Sequence, residues 1–250
     1  MIGGALGILF WRVHRAQGRL DTLVRQAMDD GLALTLKQAI SLQDANLRDP
    51  VQDGARRARL YATALLEHGT IPRERVLATL RSLKPSAGDL TDTKVAWTYA
   101  ALADGDLERA RDAAWGLSSI NSDPAEVRRV RALVSASSGD LKRALVDAKA
   151  AAQLRRDSSR HAALYALLLA KRGESVLALD VLRRLPDSAA AVVVHLARAR
   201  ALHETHPEDP RLIKETQEVL QSPGLMASPY QRAWASLISA AFRESRGESE

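Results

Sequence analysis

The sequence contains no cysteine among its 250 residues. This absence excludes a disulfide framework, a thiolate nucleophile and cysteine ligands for a metal ion. It does not fix the cellular compartment, because a chain without cysteine tolerates both oxidising and reducing surroundings. The chemistry of the protein therefore has to come from its other side chains.

Aromatic residues are scarce, at 4% of the chain, and runs of β-branched residues at strand spacing are nearly absent. The one short exception is the valine triplet at 192–194, which lies between an alanine run and the helix-like segment HLARARALHE. Apolar residues make up 46% of the sequence, which is ample for a core at this length. The sequence therefore predicts an all-α fold.

Motifs that carry catalysis are missing as well. The chain has neither the phosphate-binding GxxxxGK nor the dinucleotide-binding GxGxxG. Among its histidines only His203 and His206, with Glu204 between them, resemble a ligand cluster. Their spacing differs from HExxH and Pro207 follows directly, so the segment is interpreted as a polar turn. We therefore predict a protein that is not an enzyme and has no cofactor and no metal site.

Three glycines stand at equal intervals along the chain and open similar phrases: Gly105 in GDLERA, Gly139 in GDLKRA and Gly173 in GESVLA. The neighbouring columns are small or apolar in all three copies, and they include Ala110, Ala144 and Ala178 five positions later and Leu102, Ala136 and Ala170 three positions earlier. Glycine takes the left-handed conformation that ends a helix, and the aspartate after it can accept the first amides of the next helix. Each phrase therefore predicts a helix–turn–helix unit.

This pattern resembles the tetratricopeptide repeat, a 34-residue unit with a Gly-Asp pair at its turn and a small residue five positions later. The units span about 91–124, 125–158 and 159–192. They are degenerate, because Thr98, Ala132 and Ala166 replace the usual glycine of the first helix and the aromatic of the second helix is absent. The resemblance implies an α-solenoid of stacked antiparallel helix pairs. A related class of helical repeat stays open.

The segments on both sides of these units also carry helical patterns. Residues 18–90 contain several predicted helices and one divergent repeat whose turn glycine is Gly69. Residues 193–250 contain a further divergent repeat and a C-terminal capping helix. Pro207 stands where a fourth turn glycine would fall, which predicts a longer turn there.

The amino-terminal segment, at positions 1–17, is separate and short. Its positions 1–11 carry no charge, and Arg12, His14 and Arg15 follow directly. Eleven residues rise about 16 Å as a helix, whereas the apolar core of a bilayer is about 30 Å thick. Three interpretations stay open: a helix packed on protein, the end of a membrane anchor that starts further upstream, and a shallow interfacial anchor. The side chains of such an anchor would be Ile2, Leu6, Ile8, Leu9, Phe10 and Trp11.

The net charge of +6 permits attraction to acidic partners, although most charges alternate in sign along the predicted helices. In tetratricopeptide repeats the first helix of each unit lines a concave groove. When the repeats are aligned on their turn glycines, the resemblance implies that seven residues line this groove: Tyr99, Arg129, Leu133, Arg160, Leu167, Lys171 and Arg198. Four of the seven are basic, which suits an extended or helical peptide whose carboxylates arginine can hold in a bidentate manner.

We therefore predict a cytoplasmic scaffold or adaptor that binds a protein partner within a larger complex. If the amino-terminal segment acts as an anchor, the basic residues that follow its apolar part place the repeats at the cytoplasmic face of a membrane. The alternative is a helical-repeat protein that binds single-stranded RNA. That function requires a consistent residue at one column of every repeat. The column through Val95, Arg129 and Ala163 has none, so the protein scaffold is preferred.

Overall fold

The computed structural model describes residues 22, 37–41, 43, 51–84, 86, 88, 90–117, 123–186, 191–222 and 229–245. Within these residues the secondary structure is helical and contains no strand, so the all-α prediction is confirmed. From residue 51 onward the helices are α1 (Gln52–His68), α2 (Arg73–Ser82), α3 (Thr91–Asp104), α4 (Leu107–Trp115), α5 (Pro124–Ser137), α6 (Leu141–Leu154), α7 (Ser159–Lys171), α8 (Ser175–Leu182), α9 (Val192–Thr205), α10 (Arg211–Gln221) and α11 (Pro229–Ser245).

The repeated glycines end helices, as the sequence predicts. The φ angles are +60° at Gly69, +73° at Gly105, +81° at Gly139 and +85° at Gly173, all in the left-handed region. After two of these turns an aspartate caps the next helix: the carboxylate of Asp106 accepts a hydrogen bond from a backbone amide at 3.1 Å, and that of Asp140 does so at 3.0 Å. The local sequence therefore determines where each helix stops and the next begins.

Three pairs of helices lie along the part of the chain that carries the equally spaced glycines. The pairs α3–α4, α5–α6 and α7–α8 fall within the units at about 91–124, 125–158 and 159–192, apart from one residue at the start of α5. The valine triplet at 192–194 begins α9 and is helical. Residues 206–210, which include Pro207, form the longer connection that the loss of the turn glycine predicts.

Packing joins the helices in chain order and also across the odd-numbered set. Each helix from α1 to α11 contacts the next one, and α1, α3, α5, α7 and α9 also contact one another in succession. In addition, α9 contacts α1. The helices α1, α3, α5, α7 and α9 therefore surround a common interior. The alanines five positions after the turn glycines are fully buried (Ala110, Ala144 and Ala178), and such small side chains let neighbouring helix axes approach.

The left-handed glycines make a direct prediction about stability. A Cβ added at Gly139 would meet no heavy atom within 4 Å, so Gly139→Ala carries only the backbone cost of the left-handed conformation. We expect the free energy of unfolding in urea to fall by about 1–2 kcal/mol, and by less for Gly139→Asn. Ser138→Ala is the matched control, because Ser138 is exposed and has a φ of −84°. Equal stability of Gly139→Ala and Ser138→Ala would contradict this conformational role.

Candidate functional site

The seven residues of the predicted groove separate into a buried set and an exposed set. The buried set consists of Tyr99, Arg129, Leu133, Arg160 and Leu167. By contrast, Lys171 at the end of α7 is exposed and Arg198 on α9 is partly exposed. The binding role given to all seven from the sequence stays a prediction. Of the basic side chains among them, Lys171 and Arg198 are the two with surface that a partner could contact.

Tyr99 and Arg129 belong to a buried polar cluster that is organised around the carboxylate of Glu126. Its Oε1 atom accepts a hydrogen bond from the Tyr99 hydroxyl at 2.9 Å and lies 3.3 Å from a guanidinium nitrogen of Arg59. The Arg129 guanidinium donates to the Tyr99 hydroxyl and lies 3.6 Å from the same carboxylate oxygen. On the other side, Nε2 of His161 is 3.8 Å from Oε2 of Glu126. The carboxylate therefore balances guanidinium charge from α1 and α5 and lies close to the imidazole of α7.

Burial and neighbouring charges fix the protonation of this cluster. Burial alone would raise the pKa of Glu126, but Arg59 and then Arg129 outweigh that effect and hold the pKa well below its ordinary range. Burial lowers the pKa of His161 to about 3, against the attraction of Glu126. Burial also raises the pKa of Tyr99 to about 12. Near neutral pH the cluster therefore holds an ionised carboxylate, a neutral imidazole and a neutral phenol, and its contacts join α1, α3, α5 and α7.

Sequence reasoning finds two arginines of this region and misses their counter-charge. Glu126 lies in the first turn of α5, only three residues before Arg129, and its side chain is 5% exposed. One physical argument could have found Glu126. If Arg129 and Arg160 lie on the inner faces of packed helices, their buried charges require a carboxylate close by. Arg59 is missed because it lies on α1, outside the three regular units.

At the surface, α8, α9 and α10 form a pocket of about 500 Å³. We call it the α8–α10 pocket. Its apolar lining consists of Leu179, Leu182, Leu185 and Leu202. Its charged and ionisable lining consists of Arg183, Arg198, His206, Arg211, Lys214 and Glu215. Arg198 is the only member of the predicted groove among these residues.

The charges of the α8–α10 pocket are unevenly distributed between its interior and its rim. Glu215 is buried, and its carboxylate lies 2.7 Å from Nδ1 of His195 and 3.8 Å from the Arg198 guanidinium. At the rim, Arg183 pairs with Asp180 at 2.9 Å and Arg211 pairs with Asp209 at 2.5 Å. Lys214 is exposed and forms no ion pair with any residue that the structure describes. The pocket thus offers cations at its opening and leucine side chains within.

The histidine pattern at 203–206 is engaged in local contacts. The His203 ring packs edge-on against Trp234 with 5.9 Å between ring centroids, and the Glu204 carboxylate accepts a hydrogen bond from the Ser175 hydroxyl. Nδ1 of His206 lies 2.8 Å from the Thr205 hydroxyl. Over the described parts of the chain, no group of three or more histidine, aspartate or glutamate side chains is arranged to hold a metal ion.

The candidate anchor at 1–17, with its apolar residues from Ile2 to Trp11, lies outside the residues that the structure describes. Among the described helices, none is both long enough and apolar enough to cross a membrane. The three interpretations of this segment, as a helix packed on protein, the end of a membrane anchor or a shallow interfacial anchor, therefore stay predictions.

No family model matches this chain, and no curated protein matches it.

Proposed function

We propose that this chain is a non-enzymatic scaffold of tetratricopeptide type, an α-solenoid of stacked antiparallel helix pairs that binds a protein partner. The observation that carries this proposal is the recurrence of one local conformation: the equally spaced glycines Gly105, Gly139 and Gly173 all adopt φ between +73° and +85° and separate consecutive helices. Each helix also packs on the next one along the chain. Repeating units that bury their cores against their neighbours are typical of binding scaffolds.

The chemistry of the interior favours this function over catalysis. Glu126 and His161 are two side chains whose pKa values are strongly lowered, and they are only 5% and 2% exposed. A substrate would have to enter the packed interior to meet them. The exposed cations, including Lys171 and those of the α8–α10 pocket, suit a partner that carries carboxylates.

Binding of single-stranded RNA is the weaker alternative. The column through Tyr99, Leu133 and Leu167 is buried, so these side chains cannot stack on bases. That function then depends on the net charge alone, which supports non-specific attraction to any polyanion.

Affinity capture with the full-length chain tests the scaffold function. We expect a protein partner that remains bound after ribonuclease treatment and that captures this chain in the reciprocal experiment. Release of all bound protein by ribonuclease would contradict the proposal and favour RNA binding. Charge reversal at Arg129 and Arg160 cannot test partner binding. Both side chains are buried, so the substitutions would place carboxylates inside the fold.

The same capture with a chain that spans 18–250 addresses the amino-terminal segment, which we propose as an attachment point. Retained capture together with loss from the membrane fraction would assign the segment to a membrane. Loss of capture would assign it to the partner, and no change in either measurement would exclude it as an attachment point.

A further inference from the structure

The α8–α10 pocket combines an apolar lining with a cationic opening. Its volume of about 500 Å³ lies within the range of about 300–1,000 Å³ that is usual for ligand sites. Leucines from α8, α9 and the segment after α8 give it an apolar lining, while Arg183, Arg211 and Lys214 stand exposed at its opening. An occupant that satisfies both surfaces needs an apolar side chain and negative charge close together.

We propose that the α8–α10 pocket binds an acidic segment of the protein partner, with an apolar side chain inserted among the leucines and carboxylates paired with the rim cations. This inference rests on the proposed function and names the surface and the chemistry that it uses. The proposed binding surface is therefore the α8–α10 pocket and not the buried faces of α3, α5 and α7. Arg198 is the one residue that this pocket shares with the predicted groove.

The rim cations are available to a ligand at little cost. Arg183 pairs with Asp180, three residues earlier on the same helix, and both side chains are at least half exposed. Exposed pairs of this kind contribute little to stability, so a carboxylate of the partner can take the place of Asp180 without unfolding the helix. Lys214 has no carboxylate to displace among the described residues. Arginine at such a rim can also bind a carboxylate in a bidentate manner.

The interior of the pocket explains why the contribution of the partner should be apolar there. Glu215 is already held by His195 and Arg198, so the deepest charge in the pocket is balanced. A carboxylate pushed to that depth would meet Glu215, and an inserted lysine would meet Arg198. Leu182 and Leu202 are almost fully buried, and Leu179 and Leu185 are partly exposed and can gain contact with an apolar side chain.

The same features favour a peptide over a nucleic acid. Binding of single-stranded nucleic acid uses aromatic side chains on which bases stack, and no Phe, Tyr or Trp lines this pocket. Phosphates would satisfy the rim but would leave the leucine lining without a partner. Carboxylates and an apolar side chain from one peptide satisfy both.

Fluorescence anisotropy with the full-length chain tests this proposal. The probes are short labelled peptides with leucines flanked by glutamates, a matched set with lysine for glutamate, a set with alanine for leucine, and a labelled oligouridylate. We expect binding of the glutamate–leucine set only. Arg183→Glu combined with Lys214→Glu should weaken that binding by about tenfold or more, because two attractive rim charges become repulsive.

Lys142→Glu combined with Lys149→Glu is the matched control: it changes the net charge equally at exposed positions of α6, outside the pocket. In this control variant, peptide binding should change by less than about twofold, since the substitutions alter only the screened long-range electrostatic field at the pocket. Equal thermal unfolding of the two double variants establishes that both are folded. The pocket assignment would be overturned if both double variants weakened binding equally or if neither did. It would also be overturned if the glutamate–leucine set did not bind or if oligouridylate bound more tightly.

Failure of the pocket and failure of the scaffold function give different results. If Arg183→Glu with Lys214→Glu still captures a ribonuclease-resistant protein partner as the wild type does, the scaffold function stands and the contact lies elsewhere. If the wild type captures no protein partner at all, the proposed function itself fails.

Discussion

Replacement of Glu126 by glutamine is expected to lower the free energy of unfolding by about 3 kcal/mol or more. The substitution preserves the size of the side chain and one oxygen acceptor for the Tyr99 hydroxyl. It removes the negative charge that lies 3.3 Å from Arg59 and 3.6 Å from Arg129, and the Arg129 side chain is 2% exposed. A buried guanidinium that loses its counter-charge keeps its desolvation cost, which is why breaking a buried pair is more harmful than replacing the whole pair. Chemical denaturation at neutral pH gives the measurement.

Glu108→Gln is the control for this substitution. Glu108 makes a similar chemical pair, 3.0 Å from Arg111 on the same helix, but its side chain is 80% exposed. The expected loss is between zero and about 1 kcal/mol. A second comparison uses Glu126→Gln together with Arg129→Met, which should be less harmful than the sum of the two single substitutions because the uncompensated charge is removed. Equal losses for Glu126→Gln and Glu108→Gln would contradict a central role for this carboxylate.

The turns could be predicted from the sequence because their causes are local. A left-handed residue at Gly105 and a capping carboxylate at Asp106 act within a few positions of each other, and both are visible in the phrase GDLERA. The same logic places the ends of helices at Gly69, Gly139 and Gly173. At Pro207 the local pattern changes. There the sequence predicts a different turn, but it does not predict the pocket that α8, α9 and α10 form.

The interior could not be predicted in the same way because its cause is not local. Tyr99, Arg129 and Arg160 lie on α3, α5 and α7, but the glycine register carries no information on how closely those helices approach. Contact between α9 and α1 depends on the packing of every unit between them. The fully buried arginines and Glu126 are the result of that long-range packing.

The α8–α10 pocket lies where the repeat loses its phase, and this explains why the sequence does not reveal it. Arg183 and Leu185 come from the end of the third unit, whereas Arg211 and Lys214 follow the irregular connection after α9. No period relates these positions. Only Arg198, on the first helix after the regular units, is shared by the sequence register and the pocket.

Acid is expected to destabilise the buried cluster through two of its groups, and His161 is the one that acts first as the pH falls. Burial lowers the pKa of this side chain to about 3, against the attraction of Glu126, while Arg129 and Arg160 lower it further. An unfolded histidine titrates near pH 6.5, so between about pH 6.5 and pH 3 the unfolded chain binds a proton that the folded chain does not. The stability contributed by the neutral imidazole is therefore complete above pH 6.5 and is lost as the pH falls.

The second group is Glu126, which acts at lower pH, because a glutamate with its ordinary pKa takes up its proton only near pH 4.5. Its folded pKa is depressed, so its contribution is present above that pH and is lost below it. His161→Gln should therefore remove a slope of up to about 1.4 kcal/mol per pH unit between pH 6.5 and 5, or about 2 kcal/mol in all, and should leave the loss below pH 4.5. Urea unfolding across this range gives the measurement, with the exposed His206→Gln as the control. The same slope in His161→Gln and the wild type would mean that the imidazole is charged in the folded protein, and the neutral imidazole described for this cluster would then be wrong.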